Sequence, residues 1–116
     1  MFRKIVVTEP TGMLQSGIDR LYQMAEQVIL FNDIPGSEEE IIARIGNADG
    51  ILVSHTSNYP RAVLSRCPRL RYIGMCCSLY GEDSANVDIR ACRERGIAVT
   101  GIFDYGDDGV VEFIIA

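Results

Sequence analysis

The sequence has no tryptophan, a single histidine (His55), four prolines and four cysteines in 116 residues. The cysteines are Cys67, Cys76, Cys77 and Cys92, and none forms a C-x-x-C pair. With one histidine and two adjacent thiols there is no ligand set of zinc-site spacing, so no metal is expected. Cys67 and Cys92 sit among apolar residues and read as reduced core residues, in keeping with a cytoplasmic setting. No Lys/Arg block is longer than Arg3-Lys4, and the formal charge is −5, which argues against nucleic acid or an anionic membrane as partner. No apolar run approaches the roughly 20 residues of a membrane span. The opening MFRKIVV lacks the small-residue cleavage site of a signal peptide and reads as a first strand.

What is present is a globular composition, 47% hydrophobic, in a length that suits one domain. Short β-branched runs alternate with segments of helical period. Strands are expected at residues 4–8, 28–31, 50–54, 70–74 and 97–100, and helices at 13–25, 37–45, 59–66 and 84–95. Ser37 and Glu40 have capping-box spacing. Glu38, Glu39 and Glu40 then fall in a helix's first turn as a solvated start, not a metal site. Ile41, Ile42 and Ile45 are that helix's expected buried side, and Gly46 and Gly96 are expected stops. The alternation predicts an α/β, three-layer, flavodoxin-like domain with a five-stranded parallel sheet in the order 2-1-3-4-5.

Ligands of such sheets bind outside the carboxyl ends of the strands. Three loops lie there. Residues 8–12 (TEPTG) offer two hydroxyls and a glycine to a phosphate, but without a G-x-G-x-x-G or a Walker lysine they read more simply as a turn. Ser54 and His55 open a hydroxyl-rich loop suited to a substrate contact, with no nearby carboxylate in sequence to make His55 a general base. The segment Gly74–Gly81, GMCCSLYG, offers backbone N–H groups to a carboxylate; a nucleophilic role for Cys77 or Ser78 lacks a His–acid relay.

Several stretches together resemble the D-isomer-specific 2-hydroxyacid dehydrogenases. DGILVS at 49–54 and CPRLRYIG at 67–74 are similar to that family's "DAILVRS … APKLKVIG". NVDIRACRERGIAVT at 86–100 is similar to "NVDLEAATERGIVVTN", and GVVEF at 109–113 to a helix start "SVAEH". The resemblance implies an N-terminal substrate-binding domain at 1–100, of phosphoglycerate dehydrogenase-like type. A hinge would follow at 101–109, and a crossover helix would begin at 110–116 and lead into a Rossmann domain that binds NAD. It implies hydride transfer between NAD(H) and a small anionic 2-hydroxy or 2-keto acid, in a homodimer. The catalytic arginine, glutamate and histidine, and the choice of NAD or NADP, would belong to the segment beyond residue 116, so no catalytic residue is assigned here and no turnover is expected of the 116 residues alone. By local match the substrate carboxylate would meet the backbone at Ser78 and Leu79, with Cys77 adjacent, while Ser54 and His55 line the same cleft.

The sequence departs from the family in its loop after the fourth strand. GMCCSLYGEDSANVD is longer than the usual "GRAGVGVDNVD" and has Cys77 and Leu79 where glycines are usual. Glu82 and Asp83 add negative charge beside an anion site. The other reading is a non-catalytic small-molecule binding or sensor domain of the same fold. A response-regulator receiver would need an aspartate after the third strand, where Ser54-His55 stands, and a flavodoxin would need a phosphate loop and stacking aromatics.

Overall fold

A computed structural model describes residues 2–11, 15–54, 57–75 and 86–101. Five strands, β1 (Phe2–Val7), β2 (Ala25–Leu30), β3 (Gly50–Val53), β4 (Tyr72–Met75) and β5 (Ala98–Gly101), alternate with four helices, α1 (Gln15–Met24), α2 (Glu38–Ile45), α3 (Arg61–Leu64) and α4 (Ile89–Arg95). All strand pairs are parallel, in the order β2-β1-β3-β4-β5. The expected α/β class and strand order are therefore those of the protein, and the arrangement agrees with a flavodoxin-like three-layer fold.

Alternation along the central strands divides the core into two. Val6, Ile51, Val53, Ile73 and Met75 face a large cluster with Ile41, Ile45, Val63, Leu64, Ala91 and Cys92 from α2, α3 and α4. Ile5, Val7, Leu52 and Tyr72 face a smaller one with Phe2 and Leu21 of α1. Near-continuous apolar strands are what a sheet covered on both faces requires. Gly50 begins β3 because the Phe2 ring lies against it. A Cβ there would sit 3.1 Å from that ring. Cys67 and Cys92 are buried free thiols, as expected, and burial pushes Cys92 up to about 11, with Asp88 adding to the rise.

Local signals hold at most ends. Ser37 Oγ accepts from Glu40 N–H at 3.2 Å, while the Glu40 carboxylate turns to Arg44 instead of completing the box. Gly46 and Gly96 stop α2 and α4 with φ of 54° and 71°, conformations open to glycine. Three expected helices change their bounds. The helix expected at 13–25 ends at Met24, and β2 begins at the next residue with no intervening loop. The helix expected at 59–66 is only α3, because Tyr59 is extended and bridges Val87. The helix expected from Ser84 begins at Ile89, capped by Asp88 Oδ1 on Ala91 N–H at 2.9 Å; Ser84 itself lies outside the described residues. In the last turn of α2, Arg44 is buried beside Ile41 and Ile45. The hinge and crossover helix expected after residue 101 lie outside the described residues.

Candidate functional site

The carboxyl ends of the central strands lie level. Val7 registers with Leu52, Val53 with Met75, and Met75 with Gly101. The segments after β3 and β4, which carry Ser54, His55, Cys77, Ser78 and Leu79, therefore leave the sheet side by side. Ser54 is the one of these that the structure describes. His55, Cys77, Ser78 and Leu79, together with Cys76, Glu82 and Asp83, lie outside the described residues.

Ser54 is held from two sides. Its N–H donates to Glu9 Oε1 at 2.9 Å, and its carbonyl accepts from Asn86 Nδ2 at 2.6 Å. Asn86 Nδ2 also donates to Ser57 O at 2.6 Å, and its own carbonyl accepts from Tyr59 N–H at 2.8 Å. Asp88 N–H returns to Tyr59 O at 3.0 Å. Residues 86–88, the Asn-Val-Asp of the family-like stretch, thus tie the loop after β3 to the segment that enters α4.

Beneath Ser54 is a buried polar knot. Glu9 is fully buried, and its Oε2 accepts from Tyr59 Oη at 2.7 Å. Tyr59 Oη also lies 2.6 Å from Thr8 Oγ1, which reaches Leu52 O at 3.3 Å. Two hydroxyl protons serve three contacts here. The longest, Thr8 to Leu52, is the one left weakest whenever Tyr59 donates to a Glu9 carboxylate and Thr8 donates to Tyr59. Burial first, and then the hydrogen bond and charge of Glu9, push the Tyr59 phenol well above the usual range, so it stays a neutral donor.

Arg44 closes the knot at its outer edge. Its Nη1 donates to Thr8 O at 2.9 Å and Asp33 O at 2.7 Å, and its Nη2 to Asp33 Oδ1 at 3.0 Å and Glu40 Oε2 at 2.6 Å. The guanidinium lies 4.4 Å from the Phe31 ring centroid. A cavity of about 160 Å³ opens between the β1 and β2 ends, bordered by Glu9, Thr11, Ile18 and Phe31. Thr8 does not serve a phosphate, because its hydroxyl is taken up by Leu52 and Tyr59. Among the described residues no group of three His, Cys, Asp or Glu side chains could hold a metal.

Glu9, Tyr59, Asn86 and Arg44 were missed as site residues because each acts on a partner far away in sequence. Glu9 reaches across 45 residues to Ser54 and 50 to Tyr59. The one available signal was the acid placed directly after β1, where an exposed turn had no need of it.

The pattern of the catalytic domain of the D-isomer specific 2-hydroxyacid dehydrogenases matches residues 5–114. The chain belongs to that family. It is 38% identical over 78 residues to a hydroxypyruvate reductase of Blautia hydrogenotrophica, covering 67% of this chain and 23% of that protein. A solved protein of Pyrococcus horikoshii is 32% identical with a TM-score of 0.67, covering 88% of this chain and 28% of the other. An NAD+-bound 3-phosphoglycerate dehydrogenase of Entamoeba histolytica is 22% identical with a TM-score of 0.67, over 88% of this chain and 33% of the other. The chain thus spans a quarter to a third of the length of the proteins it matches. In this family the domain forms part of the substrate cleft of NAD(H)-dependent oxidoreductases. No described helix is long and apolar enough to cross a membrane.

Proposed function

We propose that this domain is one wall of the cleft in which a small anionic 2-hydroxy acid and its 2-keto acid are interconverted with NAD(H). The observation that carries the reading is the family match over residues 5–114 combined with the level strand ends at Val53 and Met75. Backbone N–H groups at Ser78 and Leu79, with Cys77 adjacent, receive the substrate carboxylate, and Ser54 and His55 line the opposite side. Residues 101–109 are the hinge and 110–116 the first turns of a helix toward a dinucleotide-binding domain in cis. That second domain holds the cofactor and also supplies the proton donor and the cation that polarises the carbonyl. The working protein is a cytoplasmic homodimer.

What the described residues do is hold the wall still. Glu9 holds Ser54 N–H and Asn86 holds Ser54 C=O, so neither peptide flanking residue 54 can turn without breaking a hydrogen bond. A preorganised wall is what acceleration by positioning needs.

The test is oxidation of NADH and NADPH by the product of the whole reading frame against a panel of 2-keto acids. Turnover of at least one acid is expected, with Ser78→Pro, which removes a backbone donor, raising KM for the acid more than for the cofactor. Saturable binding of a 2-keto acid with no turnover by either cofactor would replace this reading with a non-catalytic sensor of the same fold.

A further inference from the structure

At the amino ends of the strands, opposite Ser54, a groove of about 390 Å³ lies between β1 and the segments that enter β3 and β4. Arg3, Lys4, Arg69 and Arg71 line it, against one carboxylate, Asp49. Four of the chain's eleven Lys and Arg residues therefore gather in one groove of a protein whose formal charge is −5.

Three cations outside the groove are paired with carboxylates. Arg44 pairs with Asp33 and Glu40, Arg61 with Glu94, and Arg66 with Glu39. Arg3, Lys4 and Arg69 have no carboxylate within ion-pair distance among the described residues. Lys4 Nζ meets the neutral Asn47 Oδ1 at 3.3 Å. Arg71 is stacked over the Phe2 ring at 4.6 Å and stands 3.6 Å from Asp49. Asp49 offsets only one of the four positive charges. Its Oδ1 and Oδ2 accept from the backbone N–H groups of Lys4 and Arg3, each at 3.0 Å. The groove is thus a positively charged concavity in which Arg71 is oriented by the Phe2 ring and Asp49, and Lys4 by the Asn47 amide; guanidinium forks match phosphate and carboxylate oxygens alike.

We propose that this groove binds a compact polyanion, a small molecule bearing two or more phosphate or carboxylate charges, at a site separate from the substrate cleft. Arg3, Arg69 and Arg71 grip it from the exposed rim, and the half-buried Lys4 meets it at the floor. Because Arg3 and Lys4 are also the residues whose amides Asp49 holds, an occupied groove strengthens the junction of β1 with β3.

Pyrophosphate and citrate are the probes, titrated calorimetrically into the full chain at fixed ionic strength, with thermal melting in parallel. Saturable binding of one of them is expected, with Tm rising by about 6 °C at ten times Kd. The double variant Arg3→Ala/Arg69→Ala should weaken it at least tenfold, while Arg61→Ala/Arg66→Ala, which removes the same charge elsewhere, should not. Pyrophosphate binding alone assigns the groove to phosphates, and citrate binding alone to polycarboxylates. Absence of saturable binding by both probes overturns the proposal. So does binding that survives Arg3→Ala/Arg69→Ala, which would place the anion in the substrate cleft, or equal weakening by the control pair.

Discussion

Two carboxylates, one at each end of the sheet, do the same job in different surroundings. Asp49 sits before β3 and accepts from two amides of β1; Glu9 sits after β1 and accepts from the amide after β3. Each clamps β1 to β3 across some 45 residues of sequence. Asp49 keeps a 15% exposed side chain beside a groove of cations, whereas Glu9 is fully buried with a phenol as its second donor. Water can replace Asp49 on its amides. It cannot reach the one amide that Glu9 holds. The difference teaches that the end facing the cleft is built as a closed polar unit, and the opposite end as an open one that other anions can enter.

Glu9→Ala should show the largest effect. It takes the buried carboxylate away from the Ser54 amide and leaves the Tyr59 hydroxyl with Thr8 alone, at about 3 kcal/mol of stability, read as a fall in the urea midpoint. Tyr59→Phe comes next at about 1.5 kcal/mol, since Glu9 keeps the Ser54 amide but loses its hydroxyl donor. Asp49→Asn should cost about 1 kcal/mol at neutral pH, because solvent and the new amide oxygen partly take over. If Asp49→Asn cost as much as Glu9→Ala, exposure would not be what separates the two ends.

The Asp49 effect carries its own pH signature. Burial opposes its ionisation, but the amides of Arg3 and Lys4, its own amide and then Arg71 outweigh burial and hold the carboxyl below the usual range. A carboxyl depressed in the folded state contributes stability that is fully present above its unfolded value, about 3.9, and is lost as pH falls through the lower folded value. The gap between wild type and Asp49→Asn should therefore be constant above about pH 5 and close below pH 4 in denaturation series. Smallest of all is Glu94→Gln. Its pairing with Arg61 is fully solvated, so Tm should be unchanged within error even though the two groups shift each other's titration.

The sequence carried much of the fold because the deciding signals are local. The run KIVV, the Ser37 cap and the glycines at 46 and 96 act within a few residues of themselves, and right-handed crossovers then leave few strand orders. The site was legible as a place, the loops after β3 and β4, and through motifs such as NVD at 86–88. It was not legible as a network. Nothing near Tyr59 in sequence says that its ring will be drawn out of a helix by Glu9 and Thr8. Likewise, nothing in Glu38–Ile45 marks Arg44 as the buried member of a charged turn.

The sequence alone determined the alternation of strands and helices, the parallel sheet, the two apolar faces and the family, since hydrophobic period, capping and motif spacing are properties of neighbours along the chain. Only the tertiary structure decided which polar groups are buried and whom they serve: Glu9 on Ser54, Asn86 across two loops, Arg44 at the sheet edge, and the cations around Asp49. Those choices depend on which distant backbone N–H and C=O groups folding leaves without a partner, and that is fixed only when the strands are in register.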